Sequence, residues 1–150
     1  MKEKYLGLKK KHNLPSFDDL NRDFEIQSIS KDDDVLREIL KKMGGVVEFH
    51  IGVLEDIIQP DSRYYALKEA NFLDKTQRDM ANLLYGKLMY LNRKSIELNL
   101  DYSEDGAASF IIKMFEDWQT IKKELLPIIV TLKESWSKKT EIKLDGGYFG

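Results

Sequence analysis

Two histidines and a scatter of carboxylates are the side chains best suited to chemistry in this chain, and their spacing limits what they can do. His50 has Glu48 two residues before it and Glu55 five residues after. On a helix, a two-residue step is a rotation of about 200°, so Glu48 points away from His50. A carboxylate-bridged di-iron centre needs Glu three residues before His on two helices, and neither His12 nor His50 has it. The paired histidines of a zinc protease helix are absent as well. There is no cysteine, which removes thiolate nucleophiles, disulfides and cysteine metal sites. Asp32, Asp33 and Asp34 form an acidic run without the glycine turn and spread ligands of a calcium loop, so helix capping explains them better. No metal and no cofactor is expected.

Phosphate chemistry fares no better. Gly44-Gly45 falls inside helical periodicity and Gly146-Gly147 near the end of the chain, so neither forms a strand-to-helix phosphate loop. A serine-hydrolase elbow is missing too. The stretch Tyr85, Lys87, Tyr90, Asn92, Arg93 and Lys94 combines rings with charge and could hold an anionic or nucleotide ligand, although such side chains commonly straddle the edge of a core. The candidate ligand set is therefore Glu48, His50, Glu55, Tyr85, Tyr90 and Arg93, gathered around an interior polar pocket; no catalytic residue is assigned. His50 falls among apolar positions and is expected to be largely buried, and His12 is expected to act as a cation at a helix C-terminus.

These residues must be positioned by helices. From Ala107 to Trp136 apolar residues fall at Ala108, Ile111, Phe115, Trp118, Ile121, Leu125, Ile128, Leu132 and Trp136, a mean step of 3.5 residues. That spacing lays one apolar seam along a long helix over about 104–138, with Pro127 expected to kink or break it. A second seam of this kind, Leu73, Gln77, Met80, Leu84, Leu88, Leu91, Ser95 and Leu98, marks a helix over about 74–100 opened by an Asp74/Gln77 capping box.

A third long helix over about 34–59 carries two seams. One is Leu36, Leu40, Met43, Val47, His50, Leu54 and Ile57; the other is Val35, Ile39, Val46, Phe49 and Val53. So broad an apolar face predicts at least two helical neighbours. Its remaining face holds Lys41, Gly45, Glu48, Gly52 and Glu55, and glycines inside a helix point to a close helix crossing, a bend at Gly44-Gly45, or a groove where a ligand or partner reaches Glu48 and Glu55.

Ahead of this helix, residues 2–12 form a short helix ended near Pro15, and Ser16 caps a second carrying Phe17, Leu20 and Phe24. Ser30, Asp32 or Asp33 is the expected cap of the first long helix, and Ser103 or Asp101 that of the last. Residues 62–72 form a connector with aromatic feet, Tyr64, Tyr65 and Phe72. The fold class is all-α: an up-down helical bundle of three long helices plus short N-terminal helices. It is expected as a single domain over 1–150, with a lid at 1–30, a core at 34–138 and a tail at 140–150.

The 150 residues carry 24 basic and 26 acidic side chains mixed along the chain, for a net charge of -2. Nothing in that balance resembles a basic track for a phosphate backbone, so nucleic acid is an unlikely partner. The apolar run Leu125 to Leu132 is far shorter than the ~20 residues that span a bilayer, and Met1-Lys-Glu-Lys leads into no signal core. A cytoplasmic protein without membrane attachment is expected. With no assembled catalytic chemistry, the leading expectation is a non-enzymatic protein-interaction module, most simply a homo-oligomer, with Trp136, Tyr148 and Phe149 at the contact. A small-molecule-binding or catalytic bundle is the alternative.

Overall fold

Capping side chains set where the helices begin. In the computed structural model, which describes residues 1–137, Ser16 Oγ accepts the Asp19 N–H at 3.1 Å and opens α2 (Phe17–Phe24). Asp74 and Gln77 close the reciprocal box that opens α5 (Lys75–Leu100), at 2.8 and 3.4 Å. Ser103 Oγ accepts the Gly106 N–H at 3.0 Å and opens α6 (Glu104–Glu134). The long helix α3 (Val35–Ile58) is capped instead by Asp34, whose Oδ1 accepts the Arg37 N–H at 3.3 Å. Ser30, Asp32 and Asp33 lie too far upstream of Val35 for that role, and Ser30 Oγ accepts the Asp32 N–H in the preceding turn. The other helices are α1 (Lys2–His12) and α4 (Tyr64–Phe72), with one 3₁₀ turn at Ile26–Ser28. Among the described residues there is no strand, and no helix is long and apolar enough to cross a membrane.

Contacts divide the described residues into two compact units, residues 1–50 with 88–120 and residues 51–87 with 121–137. Each of α3, α5 and α6 contributes a segment to both.

In the first unit the seam residues Leu36, Leu40, Met43, Leu88, Ala108, Ile111 and Trp118 are buried. The N-terminal helices close over α6 through specific pairs. Phe24 packs its ring 6.3 Å from that of Trp118, and Gln119 Nε2 donates to Asp23 Oδ2 at 2.8 Å. Tyr5, wholly buried, lies edge-on to Phe17 and donates its hydroxyl to the Pro15 carbonyl. At the end of α1, Lys11 and His12 Nε2 both donate to Glu104 Oε2, at 2.7 and 2.9 Å. His12 thus meets a carboxylate on the first turn of α6 as well as its own helix end.

The Lys11 ammonium, then the His12 ring, holds the Glu104 carboxyl below the ordinary glutamate range. A depressed carboxyl contributes stability that is present above its unfolded value and lost as pH falls through the folded one. Acidification below about pH 4 is therefore expected to loosen α1 before the rest of the unit. Hydrogen exchange of α1 amides reads this out, and Glu104→Gln should show the loosened pattern already at neutral pH.

In the second unit Leu54, Ile57, Leu84, Ile121, Leu125, Ile128 and Leu132 form the core. Gln77 Nε2 donates to Thr131 Oγ1 at 2.6 Å, and the Lys87 ammonium lies 3.5 Å from Glu124. Residue numbers rise along α5 as they fall along α6, so the two helices run in opposite directions here. The backbone of α6 continues unbroken through Pro127, which is exposed, so no local break forms. In α4 the expected packing is inverted. Ala66 and Ala70 face inward while Tyr64, Tyr65 and Phe72 stay 71%, 38% and 37% exposed, because the small residues let the helix backbone approach closely.

Gly45 and Gly52 on α3 are not crowded: a Cβ at either would meet no atom of the described residues within 4 Å, whereas one at Gly44 would lie 4.0 Å from Ser95 Oγ on α5. Gly52→Ala is expected to stabilise the fold by about 1 kcal/mol through helix propensity alone, measured by urea unfolding. Gly106 behaves oppositely: a Cβ there would sit 2.7 Å from the Ser103 Oγ that caps α6.

Candidate functional site

The second seam of α3 does not close along its length. Val35 and Ile39 are buried, Val46 and Val53 are half-buried, and Phe49 is 67% exposed. In the first unit, Lys42, Gly45, Val46, Phe49 and His50 recur at helical spacing and form one wall of an open cleft of about 640 Å³. The other wall is the end of α2 and its cap: Arg22, Asp23, Phe24 and Glu25. Gly45 widens the cleft by presenting no side chain.

His50 is half-buried rather than a core residue. Its Nδ1 lies 2.8 Å from the Val46 carbonyl. A carbonyl only accepts, so Nδ1 carries the proton and Nε2 is left as an acceptor, or as a donor once protonated. Trp118 meets the imidazole edge-on at 5.1 Å and Phe49 does so at the same distance, which fixes the ring plane. Lys42 has no ion-pair or hydrogen-bond partner among the described residues. Arg22, by contrast, is held by Asp19 at 3.3 Å and Asp23 at 3.4 Å. Glu25 adopts the left-handed conformation, φ 53°, as the C-cap of α2, a backbone state that disfavours a residue with a side chain.

The rest of the candidate ligand set is not gathered here. Glu48 is exposed and does not line the cleft, and in the second unit Glu55 is exposed and Tyr85 half-buried. Tyr90 is 67% exposed with the Lys94 ammonium 5.9 Å from its ring centre. Arg93 is exposed and donates to the buried Asn92 amide oxygen. No group of three or more acidic or histidine side chains that could hold a metal occurs among the described residues. Arg22, Lys42 and Phe24 went unnoticed as a group because α2 and α3 share no periodic register.

No protein family, curated protein or solved structure matches the chain.

The second unit presents the other distinctive surface. Trp136 is 37% exposed; its Nε1 donates to Glu69 at 3.0 Å, Tyr64 meets it edge-on at 6.1 Å, and the Lys68 ammonium sits 4.1 Å from its ring centre. Tyr148 and Phe149, expected as companions of Trp136, lie outside the described residues. Elsewhere on this unit Leu83 is 53%, Leu126 63% and Val130 41% exposed. Leu83 stands on α5 between Gln77 and Lys87, both of which reach α6.

Proposed function

We propose that the protein is a non-enzymatic helical interaction module that associates with itself, built on an up-down frame of α3, α5 and α6. The observation that carries this reading is the uncovered apolar surface of the second unit, where Leu83, Leu126 and Val130 stand in water on α5 and α6. Leu126 and Val130, four residues apart, share one face of α6, and adjoining exposed apolar residues mark sites of association more often than single ones do. Dispersal of Glu48, Glu55 and Arg93 onto exposed positions supports a role without catalysis. Light scattering across a concentration series tests it: a mass that rises reversibly from one chain toward two supports self-association, and a constant single-chain mass refutes it.

The cleft beside His50 supports a second reading, the binding of a small aromatic anion. Lys42 and His50 Nε2, neither with a partner among the described residues, and the exposed Phe49 ring supply charge, a hydrogen bond and a stacking surface within one helix face. Benzoate is a direct probe. Saturable changes in the His50 ring resonances, lost in Lys42→Ala, would support this reading, and their absence would remove it.

A further inference from the structure

The outer face of α6 changes character at one point. Ser109, Lys113, Glu116, Thr120 and Lys123 are exposed and polar, and then Leu126, Pro127 and Val130 are exposed and apolar before Lys133 and Glu134 restore charge. Lys123, Pro127, Val130 and Glu134 follow one another at steps of 4, 3 and 4. They form a short two-turn seam facing away from the core, of the type that pairs helices. The core of the second unit lies on the opposite side of the helix, at Ile121, Leu125, Ile128 and Leu132.

We infer that this seam is the dimer contact, in which α6 of one chain packs antiparallel against α6 of a second copy about a two-fold axis level with Ile128 and Ile129. The inference rests on the self-association proposed above and specifies its surface. An antiparallel two-fold sets Pro127 opposite Val130 of the other copy, and Val130 opposite Pro127, in the two central layers. The same operation sets Lys123 opposite Glu134 and Glu134 opposite Lys123 in the two outer layers. Both outer layers thus join opposite charges. A parallel pairing would set Lys123 against Lys123 and Glu134 against Glu134, so the charge pattern selects one orientation.

The charges are available for this. Among the described residues Lys123 has no ion-pair partner, and the Glu134 carboxylate pairs with its chain neighbour Lys133 at 3.6 Å, with both of those side chains more than half exposed. Leu126 flanks the seam, where it would lie against the aliphatic stem of Lys133 from the second copy. Pro127 suits the position because its missing N–H lies in an exposed stretch of helix. A contact of one helix face per chain falls at the low end of interface size, so the pairing is reversible rather than obligate.

Charge reversal tests the register. Lys123→Glu sets glutamate against Glu134 twice per dimer and should weaken dimerisation about tenfold, and Glu134→Lys should do the same. The double variant K123E/E134K restores opposite charges and should recover wild-type affinity. Leu126→Glu should abolish dimers while leaving the helical circular dichroism and urea midpoint unchanged, since Leu126 is largely exposed in the single chain. A dimeric wild type indifferent to all four variants would overturn this contact and leave self-association standing at another surface. A wild type monomeric at every concentration would overturn both. The same monomeric result followed by dimers once residues 141–150 are removed would overturn the second copy as the occupant and assign the seam to the chain's own C-terminal segment.

Discussion

Trp118→Ala is expected to destabilise the protein by about 3–5 kcal/mol, the range for removing a buried aromatic side chain. Trp118 is only 5% exposed and joins three elements of the first unit: its own helix, Phe24 at the end of α2, and His50 on α3. Truncation would leave both rings without their partner and open a void the size of an indole. Urea unfolding followed by circular dichroism measures the loss. Trp118→Phe should recover part of it by keeping a ring in the seam. A loss below about 1 kcal/mol for the alanine variant would mean that the N-terminal helices are not held by this residue.

The alkaline limit of stability is the second large effect. Burial pushes the Tyr5 phenol above the usual tyrosine range, and its hydroxyl is committed to the Pro15 carbonyl. Tyr102 is raised too, first by burial and then by Asp34. Both groups favour the neutral form in the folded chain. Their contribution is complete below the unfolded value of about 10 and is lost as pH rises through the folded one. The urea midpoint should therefore hold to about pH 9 and fall steeply at about pH 11. Tyr5→Phe cannot ionise, so its curve should fall less steeply. At neutral pH the same variant should cost about 1–2 kcal/mol, because the Pro15 carbonyl loses its donor. Equal alkaline slopes for the two proteins would show that Tyr5 ionises without penalty.

Helices were legible where a local rule decides the outcome. The seam of α6 buries Ala108, Ile111, Trp118, Ile121, Leu125, Ile128 and Leu132 as its spacing requires, and the caps at Ser16, Asp74 and Ser103 form as their sequences suggest. Periodicity reports that a face is apolar, however, and not that anything covers it. The second seam of α3 is such a face: Phe49 has the right spacing for burial and stands 67% in water. His50, next to it, is half-buried at the edge of the cleft, with Trp118 against its ring.

Contacts between distant segments were not legible at all. Lys11 and His12 meet Glu104 across more than 90 residues, and Asp23 meets Gln119 across 96. Local patterning carries no information about such pairs. The cleft is of this type, since its two walls come from α2 and α3 and its useful residues include Lys42, which looks like any solvated lysine in the sequence. Tyr64 and Tyr65 illustrate a third limit. Residue size suggested that they would anchor α4, but the alanines on the other side allow closer approach and win the inward face.

Self-association through an uncovered helical surface is the claim on which the functional account stands. Sedimentation equilibrium of the wild-type chain, from about 1 μM to about 500 μM at low and moderate salt, tests it most directly. A reversible monomer–dimer equilibrium is expected, weakening as salt screens the Lys123–Glu134 layers. A single species of one-chain mass across that whole range would contradict it.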